Sequence, residues 1–595
     1  MAVITGTNNP DTLTGDDADD TIYGFAGDDT IDGGRGNNRL YGGTGDDTYL
    51  IHSRNDYIYD EGGSDKGIIY VDFYKTNSDI ENWTWAPGVQ KLPYWIDALI
   101  PGDAPGYQRL LGPQKTFQYF FPKEVPSYYS AENGKGFMPF NEAQIAFAKQ
   151  AFAYISTVID VQFVEVASAD GPNIIVLSNN EQTGSAGYAY YPYQDRLGSD
   201  LFLNYTGNSA GNLTPSNGTY SALTLIHELG HTLGLKHPFL DEDSKPEDGP
   251  ALPDAEDSTF WSVMSYNSFR ANYQLKYSPF DIASLQYIYG PSKAVQTNDT
   301  LTLTALGTNI LWDGGGVDTI TGAQQTQPIT LYLEPGYWGY IGAKNELLSK
   351  PGQITINFGT VIENAIGGRG NDTITGNGVE NNLRGENGND ILKGLAGNDT
   401  LDGGAGFDTA AYTHVRSDFI ITRQAGVGST PSFNFTVQDK TGNEGTDTLV
   451  SIERLQFSDI AVGFDIDGNA GAAYRLYQAA FNRTPDLAGL GYWIASIDKG
   501  DSLTSVANNF VISSEFATLY GSNNPNSAFI NNLYLNVLHR PADQQGLDYW
   551  LAELTSGAQS RATVLIGFSE STENQTQVIA KISNGIDYTF YSFGA

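Results

Sequence analysis

Apolar residues recur at every ninth position in two separate stretches of the chain, 11–50 and 367–410. The residues at these positions are Leu13, Ile22, Ile31, Leu40, Tyr49, Ile374, Leu383, Leu392, Leu401 and Ala410. A nine-residue apolar register is typical of parallel β-rolls, in which short strands stack their apolar residues from one coil to the next. A flexible Gly/Asp linker is the alternative interpretation, but a linker does not hold such a register. We therefore predict a β-roll in each stretch.

The turns between these short strands follow the nonapeptide pattern G-G-x-G-x-D-x-U-x, in which U is the apolar residue. Glycine opens the turn so that carbonyl oxygens point inward, and an aspartate at the sixth position adds a hard anionic oxygen, the ligand type that calcium prefers. We predict several structural calcium ions, with these aspartates as ligands: Asp20, Asp29, Asp47, Asp372, Asp390, Asp399 and Asp408. Asn38 and Asn381 occupy the same position, and Asn38 is expected to be a weaker ligand there.

Between the two repeat stretches the pattern changes to that of an α/β domain. A helix is predicted over 142–159, because apolar residues return every third or fourth position and Asn141 can cap the first turn. Apolar runs predict strands over 116–121, 161–166 and 173–177. A second helix is predicted over 221–233, after a loop rich in glycine, asparagine and serine.

From residue 466 onward the chain has helical periodicity and an internal duplication. Seven residues recur at a constant offset of 57: Tyr477, Arg483, Asp486, Gly489, Leu490, Tyr492 and Trp493 return as Tyr534, Arg540, Asp543, Gly546, Leu547, Tyr549 and Trp550. The Tyr-Trp pairs could bind carbohydrate, but aromatic pairs in helices are more often part of a core. We expect a structural or attachment role for this part of the chain.

These changes of pattern divide the chain into five segments. A chain of 595 residues is too long for one hydrophobic core, which rarely grows beyond ~250–300 residues. We predict repeats in 1–50, a connector in 51–82, an α/β domain in 83–290, a β-roll in 291–465 and a duplicated helical domain in 466–595.

The net charge of −37, from 69 acidic and 32 basic residues, excludes several classes of partner. Nucleic acids and anionic membrane surfaces need basic patches, so neither is expected as a ligand. No apolar run is long enough to span a membrane, and the N-terminus lacks the basic and apolar regions of a Sec-type signal peptide. The chain has no cysteine, so metal ions are the expected source of added stability outside the cell.

The stretch with the clearest chemistry is HELGHTLGLKH at residues 227–237. His227 and His231 are four residues apart, so on a helix they project from one face. Gly234 permits a sharp exit from the helix, which brings His237 back as a third ligand. Three imidazoles with one open position form a ligand set of catalytic zinc, whereas a closed structural site needs a fourth ligand, usually a cysteine.

The pattern HExxHxxGxxH, the methionine turn SVMSY at 262–266 and Pro238 after the third histidine resemble the serralysin branch of the metzincins, which are secreted bacterial metalloproteases. The resemblance extends over roughly 85–465. It implies an α/β metzincin catalytic domain with calcium-binding parallel β-roll segments, here followed by a C-terminal α-helical repeat domain. The repeat block at 11–50 and the helical repeats are departures from the family. The apolar, aromatic end at 587–595 resembles an uncleaved type I export signal.

The same resemblance implies a secreted, extracellular or cell-surface zinc endopeptidase with one catalytic zinc. It assigns Glu228 as the general base, Tyr266 as the group that stabilises the oxyanion, and Met264 as a hydrophobic floor below the metal. Proteins or peptides are the expected substrates, and the chain is expected to be a monomer.

Two alternatives stay open at this point. The chain could be a calcium-dependent cell-surface or adhesion protein, attached to a bacterial surface layer through its terminal domains, whose protease domain is secondary or autoinhibited. It could also be a self-inhibited protease in which residues 1–80 cover the cleft.

Overall fold

The structure is a computed structural model of the chain. It describes residues 1–77, 79–102, 104–112, 114–171, 173–193, 196–240, 249–268, 272–294, 296–423, 433–521 and 524–591. Residues 592–595, the last part of the predicted export signal, lie outside the described residues.

The N-terminal segment folds as a parallel β-roll with two sheets. Its strands are β1 (Val3–Thr5), β2 (Thr12–Thr14), β3 (Thr21–Ala26), β4 (Thr30–Asp32), β5 (Arg39–Thr44), β6 (Thr48–Ile51), β7 (Tyr57–Tyr59), β8 (Lys66–Ile69) and β9 (Asn82–Trp85). One sheet has the order β1-β3-β5-β7 and the other β2-β4-β6-β8-β9, and all pairs are parallel. The apolar residues at every ninth position are buried in a common core.

This N-terminal roll extends beyond residue 50. The pattern predicts a connector over 51–82, but β7, β8 and β9 continue both sheets through that segment. The first two glycines of the repeat turn are replaced there, whereas the nine-residue spacing of aspartates continues at Asp56 and Asp65. The N–H of Asn38 donates to Oδ1 of Asp56 across 3.1 Å, and the N–H of Asp47 donates to Oδ1 of Asp65 across 2.7 Å. The bonds between coils that occur in the repeat block thus continue where the turns lack their first two glycines.

The α/β domain follows. Its helices are α1 (Tyr94–Asp97), α2 (Ala104–Leu110), α3 (Glu142–Val158), α4 (Tyr220–Thr232) and α5 (Pro279–Tyr289), with a 3₁₀ helix at Gly207–Leu213. Its strands are β10 (Thr116–Phe120), β11 (Met138–Pro139), β12 (Gln162–Glu165), β13 (Ile174–Asn180), β14 (Gly187–Ala189) and β15 (Leu201–Asn204). The sheet order is β12-β10-β13-β15-β14, and β14 is an antiparallel edge strand. The helix predicted over 142–159 is confirmed as α3, and Asn141 caps it.

A second, larger roll begins at residue 300. Its strands are β16 (Thr300–Thr302), β17 (Asn309–Leu311), β18 (Thr319–Thr321), β19 (Ile329–Tyr332), β20 (Gly339–Ile341), β21 (Gln353–Ile356), β22 (Asn364–Ile366), β23 (Thr373–Thr375), β24 (Asn382–Arg384), β25 (Ile391–Lys393), β26 (Thr400–Asp402), β27 (Thr409–Ala411), β28 (Phe419–Arg423), β29 (Phe435–Asp439), β30 (Thr446–Val450), β31 (Arg454–Gln456) and β32 (Ala461–Gly463). One sheet has the order β16-β18-β22-β24-β26-β30-β29-β28, and the other contains β19-β23-β25-β27-β31-β32. A 3₁₀ turn lies at Arg416–Asp418.

The C-terminal part is helical, as predicted. Its helices are α6 (Asn469–Phe481), α7 (Leu487–Asp498), α8 (Leu503–Val511), α9 (Ser514–Tyr520), α10 (Asn526–Asn536), α11 (Gln544–Ser556), α12 (Arg561–Ser569) and α13 (Thr572–Ile582). The duplication has a structural counterpart, because Arg483 pairs with Asp486 and Glu515 as Arg540 pairs with Asp543 and Glu573. Trp493 and Trp550 pack against the helical core, and Tyr549 is exposed.

A last strand, β33 (Ile586–Tyr588), returns from the helical part to pair antiparallel with β32 of the second roll. Ile586 and Tyr588 are buried there. The first residues of the predicted export signal are therefore part of the folded structure.

The segment after the N-terminal roll joins that roll to both following domains. The hydroxyl of Tyr287 on α5 donates to the carbonyl oxygen of Phe73 across 2.8 Å. The ring of Phe73 packs edge-on against Phe358, and the hydroxyl of Tyr337 donates to Asp72 across 2.6 Å.

The structure as a whole confirms the predicted parallel sheets and the predicted C-terminal helical region.

Candidate metal centre

Helix α4 carries the first two histidines and is buried over residues 221–232. The chain leaves the helix at Gly234, whose φ of +99° is a conformation that favours glycine. The ring of Tyr107 on α2 packs directly over this glycine, so a side chain at this position would collide with it. The N–H of Leu235 then donates to the carbonyl oxygen of Gly230 across 2.9 Å, which closes the turn. This reversal brings His237 beside the helix.

The structure brings His227, His231 and His237 into one cluster. A ligand nitrogen from each lies within 4.8 Å of the other two. The Nε2 atoms of His227 and His237 are 3.3 Å apart. Imidazole nitrogens at this spacing can share one metal ion, and no other protein ligand is needed for a site with an open position.

The second nitrogen of each helical histidine faces a backbone carbonyl. Nδ1 of His227 is 2.8 Å from the oxygen of Val263, and Nδ1 of His231 is 2.7 Å from the oxygen of Leu235. Because a carbonyl oxygen can only accept, Nδ1 carries the proton and Nε2 presents its lone pair. Burial lowers the pKa of His227 to about 4 and holds the pKa of His231 well below its ordinary value. Both rings are therefore neutral at pH 7, the form that binds metal.

Glu228 is a buried acid beside this cluster. Its side chain lies against the backbone of Gly187 on the edge strand β14. Its Oε2 is buried and has no hydrogen-bond partner among the described residues. Burial raises the pKa of Glu228 to about 8. A carboxyl group in this setting exchanges a proton near neutral pH.

Tyr266 and Met264 differ sharply in exposure. The Tyr266 hydroxyl lies 3.0 Å from Nε2 of His237, and 67% of the residue is exposed. Met264 is fully buried and lies against Gly230 of α4, between the two helical histidines. Its thioether therefore supports the helix from below.

Asp281 on α5 orients the methionine turn, and the sequence motif alone does not point to it. Its carboxylate accepts from the Ser262 hydroxyl across 2.6 Å and from the N–H of Val263 across 2.8 Å. It also completes a capping box with Ser278 at the start of α5. The S-x-x-D spacing before an apolar helix is a signal that could have identified it. Through Val263, this carboxylate fixes the carbonyl that faces His227.

A pocket of about 260 Å³ opens over these residues. It is lined by His227, Glu228 and Tyr266, by the strand β14 with the residues before it, and by the start of α4. All of its lining residues fall between 184 and 268. The self-inhibited alternative requires residues 1–80 to cover this pocket. Among the described residues, none from 1–80 lines it.

The sixth-position carboxylates of both rolls form ladders. Within the repeats, Oδ1 typically accepts the backbone N–H of the sixth-position residue 18 positions earlier, as when Asp47 accepts from Asp29 and Asp408 accepts from Asp390, at 2.7 and 2.8 Å. The other oxygen, Oδ2, is buried without a hydrogen-bond partner, among the described residues, in Asp29, Asp47, Asp65, Asp318, Asp390, Asp399 and Asp408. A buried anionic oxygen that no donor satisfies calls for a cation.

The remaining predicted calcium ligands sit differently. Asp20 uses both oxygens within the protein, since they accept the N–H groups of Ala2 and Asp16. Asp372 likewise accepts from Ile329 and Gly368. These two carboxylates close turns. Neither has a buried oxygen without a hydrogen-bond partner, unlike the other predicted calcium ligands.

Four further acids were not predicted as ladder members. Asp318, Glu363, Asp447 and Glu453 extend the second roll's ladder. Asp447 and Glu453 follow an insertion after the last repeat, whereas Asp318 and Glu363 precede the block at 367–410 in which the repeat pattern was recognised. Asp299, Asp313 and Asp318 also form a carboxylate cluster within 4.8 Å.

Comparison with known proteins supports both parts of this picture. The family model of the RTX calcium-binding nonapeptide repeat matches residues 5–40, 25–50, 360–378 and 380–410. A domain of unknown function, DUF4214, matches 507–578 in the helical part. The chain is 33% identical to Serralysin G of Dickeya chrysanthemi over 308 residues, 46% of this chain and 62% of that protein.

Other relatives give similar values. Serralysin of Photorhabdus luminescens is 32% identical, covering 45% of this chain and 58% of the relative, and Metalloprotease AprA of Pseudomonas entomophila is 30% identical, covering 45% and 60%. The predicted resemblance to the serralysins is confirmed. The chain spans about six tenths of the length of these serralysins.

The serralysin resemblance predicts zinc and calcium as the metals of this chain, and the identity of both metals is confirmed. The repeats match a calcium-binding model, and the structure contains both a three-histidine group and carboxylate groups that could hold metal ions. Within the described ranges, every helix is too short or too polar to span a membrane.

Proposed function

We propose that this chain is a secreted, calcium-stabilised zinc endopeptidase with a metzincin catalytic domain at 83–290. The observation that carries the proposal is the convergence of three imidazole nitrogens within 4.8 Å beside the buried carboxyl group of Glu228, whose Oε2 has no hydrogen-bond partner among the described residues. The similarity to serralysins supports the same reaction class.

The residues of the site divide the work of peptide hydrolysis. A zinc ion held by the three Nε2 atoms would supply a Lewis acid for the scissile carbonyl and would lower the pKa of an attacking water. Glu228 removes the proton of that water and passes it to the leaving amine, a double role that its buried position and its unsatisfied Oε2 beside the histidines suit. The Tyr266 hydroxyl donates to the carbonyl oxygen as negative charge develops on it. Since this ring is largely exposed, it can meet a substrate without repacking the core.

Edge strand β14 supplies a second requirement, alignment of the substrate. It pairs with β15 on one side, and Gly187 on it contacts Glu228. An extended peptide could add to its other side through main-chain hydrogen bonds, which would lay a peptide bond across the pocket. This arrangement suits proteins and peptides as substrates.

Calcium has a separate, structural role in this proposal. The buried carboxylates of both rolls repel one another without cations, so the rolls would fold where calcium is abundant, outside the cell. The adhesion alternative is less well supported, because an adhesion protein has no need of an ordered histidine cluster next to an unpaired acid.

The deciding experiment uses the full-length protein with calcium. We expect one zinc per chain, casein cleavage that a zinc chelator abolishes, and a Glu228→Ala variant that keeps its zinc while losing at least ~10³-fold in rate. Glu124→Ala, a change at an exposed acid, is the matched control. Casein cleavage by Glu228→Ala at the rate of the control would refute the assignment.

A further inference from the structure

A groove of about 520 Å³ lies between the N-terminal roll and the α/β domain. The roll contributes residues of β5 and β7, and the α/β domain contributes residues of α2 and of the segment that follows β14. Its lining includes Arg39, Tyr41, Tyr57, Tyr59, Arg109 and Tyr193. The groove is therefore cationic and aromatic, although the chain as a whole has a net charge of −37.

The tyrosines that the roll contributes belong to its outer face. In β5 and β7, Leu40 and Ile58 point into the core of the roll, so their neighbours Tyr41 and Tyr59 point outward. The rings of Tyr41 and Tyr59 lie 6.0 Å apart, and Tyr59 is 49% exposed. Packing of the roll core thus does not account for these side chains, and tyrosines at such positions are typical of surfaces that bind another molecule.

Two arginines of the groove have no anionic partner. Among the described residues, no carboxylate oxygen lies within 4.0 Å of either guanidinium, that of Arg39 or that of Arg109. Arg109 donates from Nη2 to two backbone carbonyls, whereas its Nη1 is buried without a hydrogen-bond partner among the described residues. Burial foremost, and the positive charge of Arg39 next, lower the pKa of Arg109. An anion in the groove would relieve this repulsion between two cations.

The groove lies where the chain continues from β14 past the metal centre. Gly187 on β14 contacts Glu228, and farther along the chain the ring of Tyr191 lies 5.8 Å from that of His231. The ring of Tyr193, which lines the groove, lies 6.5 Å from that of Tyr191. Since an extended chain rises ~3.3 Å per residue, a peptide beside this segment reaches the groove about four to six residues from its bond nearest Glu228.

We propose that this groove binds an acidic segment of the polypeptide substrate, so that the N-terminal roll selects which proteins are cleaved. The inference rests on the proposed endopeptidase function and names a substrate class for it. Carboxylates of the segment pair with Arg39 and lie in the field of Arg109, and the planar guanidinium groups suit such partners. Tyr41 and Tyr59 pack against the segment and donate from their hydroxyls. An acidic polysaccharide offers similar charges, but the position of the groove beyond β14 favours a polypeptide.

The first test compares peptide substrates that differ only in charge. Each pair has two aspartates, or two asparagines, about four to six residues from the cleaved bond. They lie on its N-terminal side in one pair and on its C-terminal side in the other, because a chain can run either way beside β14. In one pair, kcat/KM of the wild type should be at least about 3-fold higher for the aspartate form. Arg39→Gln should bring this ratio close to one, whereas Arg35→Gln, at an exposed arginine of the same roll, should keep it.

A binding measurement separates the groove from the reaction. Full-length Glu228→Ala protein with calcium is titrated with the fluorescent aspartate peptide, and anisotropy gives the affinity. Adding Arg39→Gln should weaken binding at least about 3-fold, and adding Arg35→Gln should not. Binding that depends on Arg39, without cleavage by the wild type, would refute the endopeptidase function but support the acidic-peptide site.

Two results would overturn the proposal while leaving the endopeptidase function intact. One is cleavage in which neither pair of peptides shows a preference for aspartate, with equal affinities for the Arg39 and Arg35 variants. The other is binding of polygalacturonate that depends on Arg39 and that the aspartate peptide does not displace, which would assign the groove to an acidic polysaccharide.

Discussion

Arg109 of α2 donates from Nη2 to the backbone carbonyl oxygen of Asn38, 3.0 Å away, and so joins the α/β domain to the N-terminal roll. The same guanidinium also donates to the carbonyl oxygen of Asn55 in the next coil. Asn38 is the position where the repeat pattern has aspartate. A cationic side chain from another domain therefore binds two turns on this side of the roll. Other turns of the roll instead contain carboxylate oxygens without a hydrogen-bond partner among the described residues.

Arg109→Ala should loosen the N-terminal roll from the α/β domain. Loss of a partly buried, charge-assisted pair of hydrogen bonds costs at most about 1.5–3 kcal/mol, so we expect a lower unfolding temperature and faster proteolytic cleavage in the turn that contains Asn55. Arg35→Ala removes an exposed arginine of the same roll and should leave both measurements unchanged. Equal stability of the two variants would show that Arg109 does not join the domains.

The effect of Arg109→Ala should reach the metal centre. Arg109 and Tyr107 share α2, and Tyr107 packs over Gly234, the turn that returns His237 to the cluster. We expect weaker zinc retention in dialysis against a mild chelator, with the zinc content at saturation unchanged. Zinc retention equal to that of Arg35→Ala would mean that the roll and the histidine cluster are independent.

Asp281→Asn tests the support of the methionine turn. The carboxylate accepts from both the Ser262 hydroxyl and the Val263 N–H, and an amide has one acceptor oxygen fewer. The carbonyl of Val263 that faces His227 would lose its fixed position, and such outer contacts are worth about 10–100-fold in metal affinity. We expect that loss in a competition assay with a chelator, and unchanged helical content. Asp254→Asn, at an exposed acid, is the control, and equal zinc affinity of the two would exclude this role.

Local spacing was enough to predict the histidine cluster, but long-range support was not predictable in the same way. Helical periodicity and one glycine turn lie within 227–237, so the three rings follow from neighbouring residues. Asp281 lies far along the chain from His227, and its role depends on how α5 packs against the methionine turn. The N-terminal roll gave the reverse case. Its turns lose their first two glycines after residue 50, whereas the nine-residue spacing of aspartates continues at Asp56 and Asp65 and would have predicted the further coils.

Tyr266→Phe should slow catalysis without removing the metal. The hydroxyl lies 3.0 Å from Nε2 of His237, where it can donate to a developing oxyanion. Loss of one such donor lowers kcat about 10²–10³-fold. We expect that loss in kcat with KM and zinc content close to wild type. Tyr549→Phe, an exposed tyrosine of the helical repeats, is the control. A change in KM alone would assign Tyr266 to substrate binding instead.

The stability of the calcium-free protein should fall as the pH rises. Burial raises the pKa of Asp390 and Asp408 to about 7 and that of Asp47 to about 6, above the ordinary value of 3.8. The folded state therefore holds protons that the unfolded state has already released. Their contribution to stability is full below 3.8 and is lost as the pH rises through about 7, by up to ~1.4 kcal/mol per pH unit for each proton.

The unfolding temperature of the calcium-free protein is best compared between pH 6.5 and 8. Below this window His227, with its pKa lowered to about 4, acts in the opposite direction, because its unfolded form gains a proton as the pH falls below 6.5. In chelator we expect the unfolding temperature to fall between pH 6.5 and 8, most steeply near pH 7 and less as the pH approaches 8. In saturating calcium it should change little, since the ion replaces the protons. Glu228 also titrates here, with a pKa of about 8, so Glu228→Gln should keep most of the fall. A calcium-free protein that becomes more stable across this window would contradict the proposed state of the carboxylates.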